Sequence, residues 1–203
     1  MHIEFLVEEL SAEAALHNLI PRIAGPVISY RLHSFQGKDD LIKKLPGRLM
    51  GYRHWLPPDW RIMVLIDEDR QDCLILKARL EQIAVNAGLV TKSQVGPRGN
   101  FQLITRLAIE ELEAWFLGDV AALCAEYPRV PQNLNKKSKY RDPDAIQGGT
   151  WEARERVLKK AGYYAGGLPK VEAARRISSH MDPKRNISKS FQVFRDGLLQ
   201  MVI

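Results

Sequence analysis

A chain of 203 residues is long enough to bury one sizeable core but short for two ordinary domains. Its 45% hydrophobic and 27% charged residues exclude a disordered or fibrous protein, and charges interrupt every apolar run before the ~20 residues a bilayer span requires. Thirty Lys and Arg stand against 24 Asp and Glu, a net charge of +6 that favours an anionic partner, nucleic acid first.

The opening residues, MHIEFLVEEL, have neither the basic start nor the long apolar stretch of a secretion signal. Cys73 and Cys124 are too few for a disulfide framework or a zinc site, so reduced thiols and a cytoplasmic location are expected. Residues 3–7 (IEFLV) form a short apolar strand that stops at Glu8 and Glu9. Ser11 suits the cap of a helix that Pro21 should end or bend. Residues 27–35 alternate, with Ile28, Tyr30 and Leu32 on one side, as in a half-buried strand. Gly37 breaks this strand, and Asp39 and Asp40 open a helix.

Residues 62–66 (IMVLI) are continuously apolar, as a central parallel strand covered on both faces should be. DEDRQD follows, then a helix over 73–87 closed by Gly88. GPRGN at 96–100 is a turn, 101–106 a strand, and AIEELEAWFL a helix. The alternation of strand and helix predicts an α/β fold with a mostly parallel sheet flanked by helices, with its core in residues 1–125. Residues 126–203 form a helical extension packed on that core. It comprises a polar loop or lid over 129–149, a helix over 151–161 capped by Thr150, one through KVEAARRISSHM, and a last one after Ser190. Phe191, Phe194, Leu198 and Met201 of that last helix should dock on the main body.

The acids sit where an open parallel sheet binds ligands, beyond the carboxyl ends of its strands. Glu8 follows the first strand, and Asp67 and Asp69 follow the central one, both pointing one way if the strand end stays extended. If the two strands are parallel neighbours, three carboxylates converge and need a cation or proton between them. Mg²⁺ or Mn²⁺ suits such hard oxygen ligands. Glu113 falls inside the apolar stripe of its helix, so it either meets a core Arg or Lys or joins the cluster. Glu9 and Asp72 are weaker candidates for a second ion.

At these residues the chain resembles a Toprim domain, the metal-binding α/β module of topoisomerases, primases and overcoming-lysogenization-defect nucleases. That pattern has a Glu after its first strand, matched by Glu8, and an Asp-x-Asp after a later one, matched by Asp67 and Asp69. VEELSAEAAL, VLIDEDRQDC, AIEELEAWF, GGTWEA, MDP and SFQVF resemble, over nearly the whole chain, an uncharacterised bacterial family of Toprim-like proteins (DUF4276). The chain departs from many Toprim domains in having Glu9 where they have Gly, and it has no P-loop, so any ATPase would be a separate partner. The resemblance implies a Rossmann-like Toprim fold and metal-dependent phosphodiester hydrolysis, with Glu8, Asp67 and Asp69 as metal ligands and Glu113 as a further catalytic group.

Phosphates would meet Lys38, Lys43 and Lys44, or Arg175, Arg176 and Lys189, with Trp151, Tyr163 and Tyr164 available to stack on bases. A solvated helix face explains each basic group as well, and core packing explains the aromatics. The histidines lack metal-ligand spacing, and Cys73 reads as packing. Three functions stay open: a metal-dependent nuclease, a non-catalytic nucleic-acid- or partner-binding module of a defence or repair system, and a small-molecule phosphohydrolase.

Overall fold

In a computed structural model of the protein, all residues except Val27, Pro97, Arg98, Ala165 and Ile203 are described. The expected strand start at Val27 and the centre of the 96–100 turn therefore lie outside the described residues. Four strands, β1 (His2–Val7), β2 (Ser29–Ser34), β3 (Trp60–Asp67) and β4 (Leu103–Ala108), form one parallel sheet in the order β2-β1-β3-β4. Helices α1 (Leu10–Ala24), α2 (Lys38–Trp55) and α3 (Cys73–Asn86) connect them. The chain order reverses between β1 and β3, and such a switch point opens a crevice beyond the strands' carboxyl ends.

Strand parity divides the core. Ile3, Phe5, Val7, Met63 and Leu65 pack with α1, whereas Leu6, Ile62, Val64 and Ile66 pack with α2 and α3. The first side also receives α4 (Glu113–Leu117), α5 (Val120–Glu126), α6 (Thr150–Lys160), α7 (Lys170–His180) and α8 (Lys189–Met201). Phe191, Phe194, Leu198 and Met201 are buried there, as their spacing predicts, with Phe191 and Phe194 against Trp115.

Several boundaries differ from expectation because side chains far along the chain decide them. Helix α1 runs through Pro21 because its end is held from outside: Arg22 donates to the carbonyls of Ser179 and Met181, and Asn18 to that of Arg175. Glu9, not Ser11, stands at its N-cap. The helix expected over AIEELEAWFL shrinks to five residues, since β4 continues to Ala108 and Glu110 takes a left-handed φ of 54°. Thr150 lies inside α6; the cap comes instead from Glu111, whose Oε2 accepts from the Thr150 hydroxyl (2.9 Å) and the Trp151 N–H (2.7 Å). Ser188 caps α8.

The polar 129–149 segment is docked, not a free lid. Leu134 and Ile146 are buried, and Asp144 accepts from the Ser188 and Ser190 hydroxyls and the Ser190 N–H. Gly118 is the other half of this seam: a Cβ there would stand 2.3 Å from Asn186 Oδ1 and 3.0 Å from the Ser188 backbone nitrogen. Gly118→Ala should therefore cost about 1–3 kcal/mol, read as a lower midpoint in urea unfolding; an unchanged midpoint would mean that the seam yields freely.

Candidate active site at the carboxyl edge of the sheet

Because β1 and β3 are parallel neighbours, Glu8 and Asp67 meet, as the sequence suggested. Glu8 Oε2 accepts the Asp67 backbone N–H at 3.0 Å. Asp67 continues the parity of Met63 and Leu65, so its carboxyl is buried on the α1 side of the sheet. Burial pushes it well above the ordinary aspartate range, and the charges of Glu113, Glu8 and Glu9 push further against the opposing pull of Lys170. Burial also raises Glu8, with the Asp67 N–H and Lys38 opposing and the charges of Asp69 and Glu9 adding to the rise. Neither Glu8 nor Asp67 forms an ion pair among the described residues.

Asp69, Glu9 and Glu113 each have their own cation. Asp69 does not continue the extended strand: its φ is 49°, and Arg70 follows at 61°. The parity that would aim Asp69 beside Asp67 is lost, and its Oδ2 lies 2.9 Å from Lys38 Nζ. Gly37, at φ 96° before α2, donates its N–H to the Glu8 carbonyl and so places Lys38 under the edge. Lys38 is buried and also donates to the Glu68 carbonyl at 2.9 Å. Glu9 is held by Lys170 Nζ at 2.6 Å and by the Ser11 hydroxyl. Glu113 is fully buried 3.1 Å from the equally buried Arg154, so of its two expected fates it has the core arginine. Asp72 caps α3, its Oδ1 accepting from Leu74 N–H (2.8 Å) and Ile75 N–H (3.1 Å).

The expected three-carboxylate cage is therefore corrected. Among the described residues no group of three or more His, Cys, Asp or Glu side chains is arranged to hold a metal ion. What remains is a pair, Glu8 and Asp67, at the switch point with no counter-ion of their own. Mg²⁺ commonly takes one or two carboxylates and keeps several waters, so this pair fits one such ion.

The residues around the pair fix its loops. Asp69 N–H donates to the Glu110 carbonyl at 2.8 Å and Glu68 N–H to that of Ala108 at 2.9 Å, while Glu110 N–H donates to the Glu68 carboxylate at 3.0 Å. Three non-glycine residues in left-handed conformations, Asp69, Arg70 and Glu110, thus line the edge, and strain of this kind gathers at functional sites. A cavity of about 310 Å³ opens there between Asp69, Arg70, Glu110, Glu111 and Glu152.

The predicted phosphate contacts are dispersed. Lys38 is spent on Asp69, Lys44 on Asp40, and Arg176 on Glu126 and Glu172. Lys43, Arg175 and Lys189 are exposed without ion pairs among the described residues, but α2 lies across the sheet from α7 and α8, so the six make no single track. Tyr163 and Tyr164 pack on Tyr127, and Trp151 lies against Arg154 and Lys170. Sequence reasoning missed Lys170 and Arg154, whose partners lie far away in the chain. It also missed Glu4, which had a visible signal: a carboxylate in the middle of an apolar strand.

The described helices include none long and apolar enough to cross a membrane. No curated protein and no solved structure matches the chain. Residues 7–199 match the family described as Domain of unknown function (DUF4276).

Proposed function

The chain belongs to the DUF4276 family, and on that premise we propose that it is a divalent-metal-dependent phosphodiester hydrolase acting on nucleic acid, related to Toprim domains. The observation that carries this reading is the uncompensated Glu8–Asp67 pair at the β1/β3 switch point. Glu8 and Asp67 would hold one Mg²⁺ or Mn²⁺. When bound, such an ion supplies charge for the phosphoryl oxygens and an acidified water. The chain's own residues do the rest. The Asp67 N–H orients the Glu8 carboxylate, Lys38 holds Asp69 and the loop after β3, and Lys170 and Arg154 neutralise Glu9 and Glu113 beside the pair.

A second reading, a binding module of the same ancestry that does not cut, is favoured by those same three cations, since each occupies an acid that a fuller metal centre would use. Incubating the purified chain with plasmid and single-stranded DNA separates the two. Cleavage that requires Mg²⁺ or Mn²⁺ and falls by on the order of 100-fold or more in Asp67→Ala supports the enzyme. DNA binding without cleavage, unchanged in Asp67→Ala, supports the module, and turnover confined to mononucleotides would replace nucleic acid with a small substrate.

A further inference from the structure

A second polar site lies on the opposite half of the sheet, in a groove of about 640 Å³ between the edge strand β2 and the flank of α2. Its floor is Glu4, buried in β1. The Glu4 carboxylate is fully engaged: Oε2 accepts from the Tyr52 hydroxyl at 2.9 Å and from His33 Nε2, and Oε1 from His2 Nε2 at 3.1 Å. Burial works against its charge, but the hydrogen bonds from His33 and Tyr52 prevail and keep it below the usual glutamate range. With Nε2 of His33 donating to Glu4, Nδ1 is left as the acceptor, and it receives Arg48 Nη2 at 2.8 Å.

Two guanidiniums therefore line the groove with no carboxylate of their own among the described residues. Arg31 stands on β2 in register with Glu4, and Arg48 projects from α2. Gly47 and Gly51, one turn apart on α2, keep the groove open, and a Cβ at either would meet nothing within 4 Å. At its end Trp55 is 55% exposed yet braced by Tyr52 (5.2 Å between ring centroids) and Trp60 (5.7 Å). Guanidiniums without a carboxylate partner match phosphate oxygens, and a braced, exposed indole offers a flat stacking face. The cavity is of ordinary ligand size.

We propose that this groove binds a nucleotide, with its phosphate at the Arg31 and Arg48 guanidiniums and its base on the Trp55 indole. The site does not rest on the metal reading: it shares no residue with the acid pair, and Arg48 lies ten residues along α2 from Lys38, roughly 15 Å at 1.5 Å per residue. Its occupant is either a free mononucleotide or one unit of a nucleic-acid strand.

Calorimetric titration in EDTA, which keeps metal out of the acid pair, tests the groove with AMP, adenosine, inorganic phosphate and single-stranded hexadeoxyadenylate. AMP is expected to bind at least about 10-fold more tightly than adenosine or phosphate, because only AMP uses both halves of the groove. Arg48→Ala and Trp55→Ala should each weaken AMP about 10-fold. Gly51→Leu, which fills the groove while improving helix propensity, should abolish binding without lowering the melting temperature. A hexamer binding more than six times as tightly as AMP identifies a strand as the source, and equal affinity per nucleotide identifies the free nucleotide. No binding of AMP or hexamer at millimolar concentration overturns the proposal, as does phosphate binding equal to AMP or AMP binding unaffected by all three substitutions.

Discussion

Arg154→Ala should lower the stability of the protein by about 3–5 kcal/mol, the cost of leaving a buried charge without its partner. Arg154 and Glu113 are both completely inaccessible, with Nη2 and Oε1 3.1 Å apart, and the guanidinium lies 4.8 Å from the Trp151 ring and 5.3 Å from that of Phe116. Burial presses each group towards its neutral form, raising Glu113 and lowering Arg154, and the charge of each opposes the shift of the other. The contact depends on charge more than on aligned hydrogen bonds, because among the described residues neither Glu113 oxygen and none of the Arg154 nitrogens has a hydrogen-bond partner of good geometry. Removing one partner is therefore far worse than removing both. At about 2–4 °C per kcal/mol for a chain of this size, Arg154→Ala should melt roughly 6–20 °C below the wild type, and Glu113→Gln combined with Arg154→Met should recover most of that loss. Circular-dichroism melts decide the matter; equal melting of Arg154→Ala and wild type would show that the pair contributes nothing.

The second large effect is on the dependence of stability on pH. The folded protein holds the Asp67 proton more tightly than the unfolded chain, because burial and the charges of Glu113, Glu8 and Glu9 oppose its ionisation. A carboxyl raised in the folded state contributes stability that is fully present below its unfolded pKa and is lost as the pH rises through the raised value. Metal-free wild type should consequently lose stability between acid and alkaline pH on account of this group. Asp67→Asn, uncharged throughout, should melt above wild type at pH 8 by at least about 2–4 °C, the equivalent of 1 kcal/mol. The gap should close towards pH 4. Melts in EDTA across that range measure it, and a variant less stable than wild type at pH 8 would mean that the Asp67 anion already has a cation in the metal-free protein.

The β1 and β3 strands were legible in the sequence because their apolar runs end abruptly in acids, which also placed Glu8 and Asp67 at one edge. Asp69 was misplaced because two residues of left-handed backbone undo the alternation that sequence spacing assumes. Lys38 looked like a phosphate contact, since nothing local shows that it folds under residue 69. Glu113 is buried, as its place in an apolar stripe suggested, although the helix there spans only five residues and leaves Ile109 and Leu112 of that stripe outside it. Its partner, Arg154, sits in a segment whose polar composition gave no hint of a buried guanidinium.

As proposed above, Glu8 and Asp67 together would hold one divalent cation. Titrating Mn²⁺ into the metal-free protein and following the free ion by electron paramagnetic resonance tests it without reference to any substrate. One site is expected, weakened at least about 10-fold by Glu8→Gln or by Asp67→Asn and much less by Asp69→Asn, whose carboxylate is already taken by Lys38. Mn²⁺ binding that is absent from the wild type, or the same in all three variants, would contradict the account.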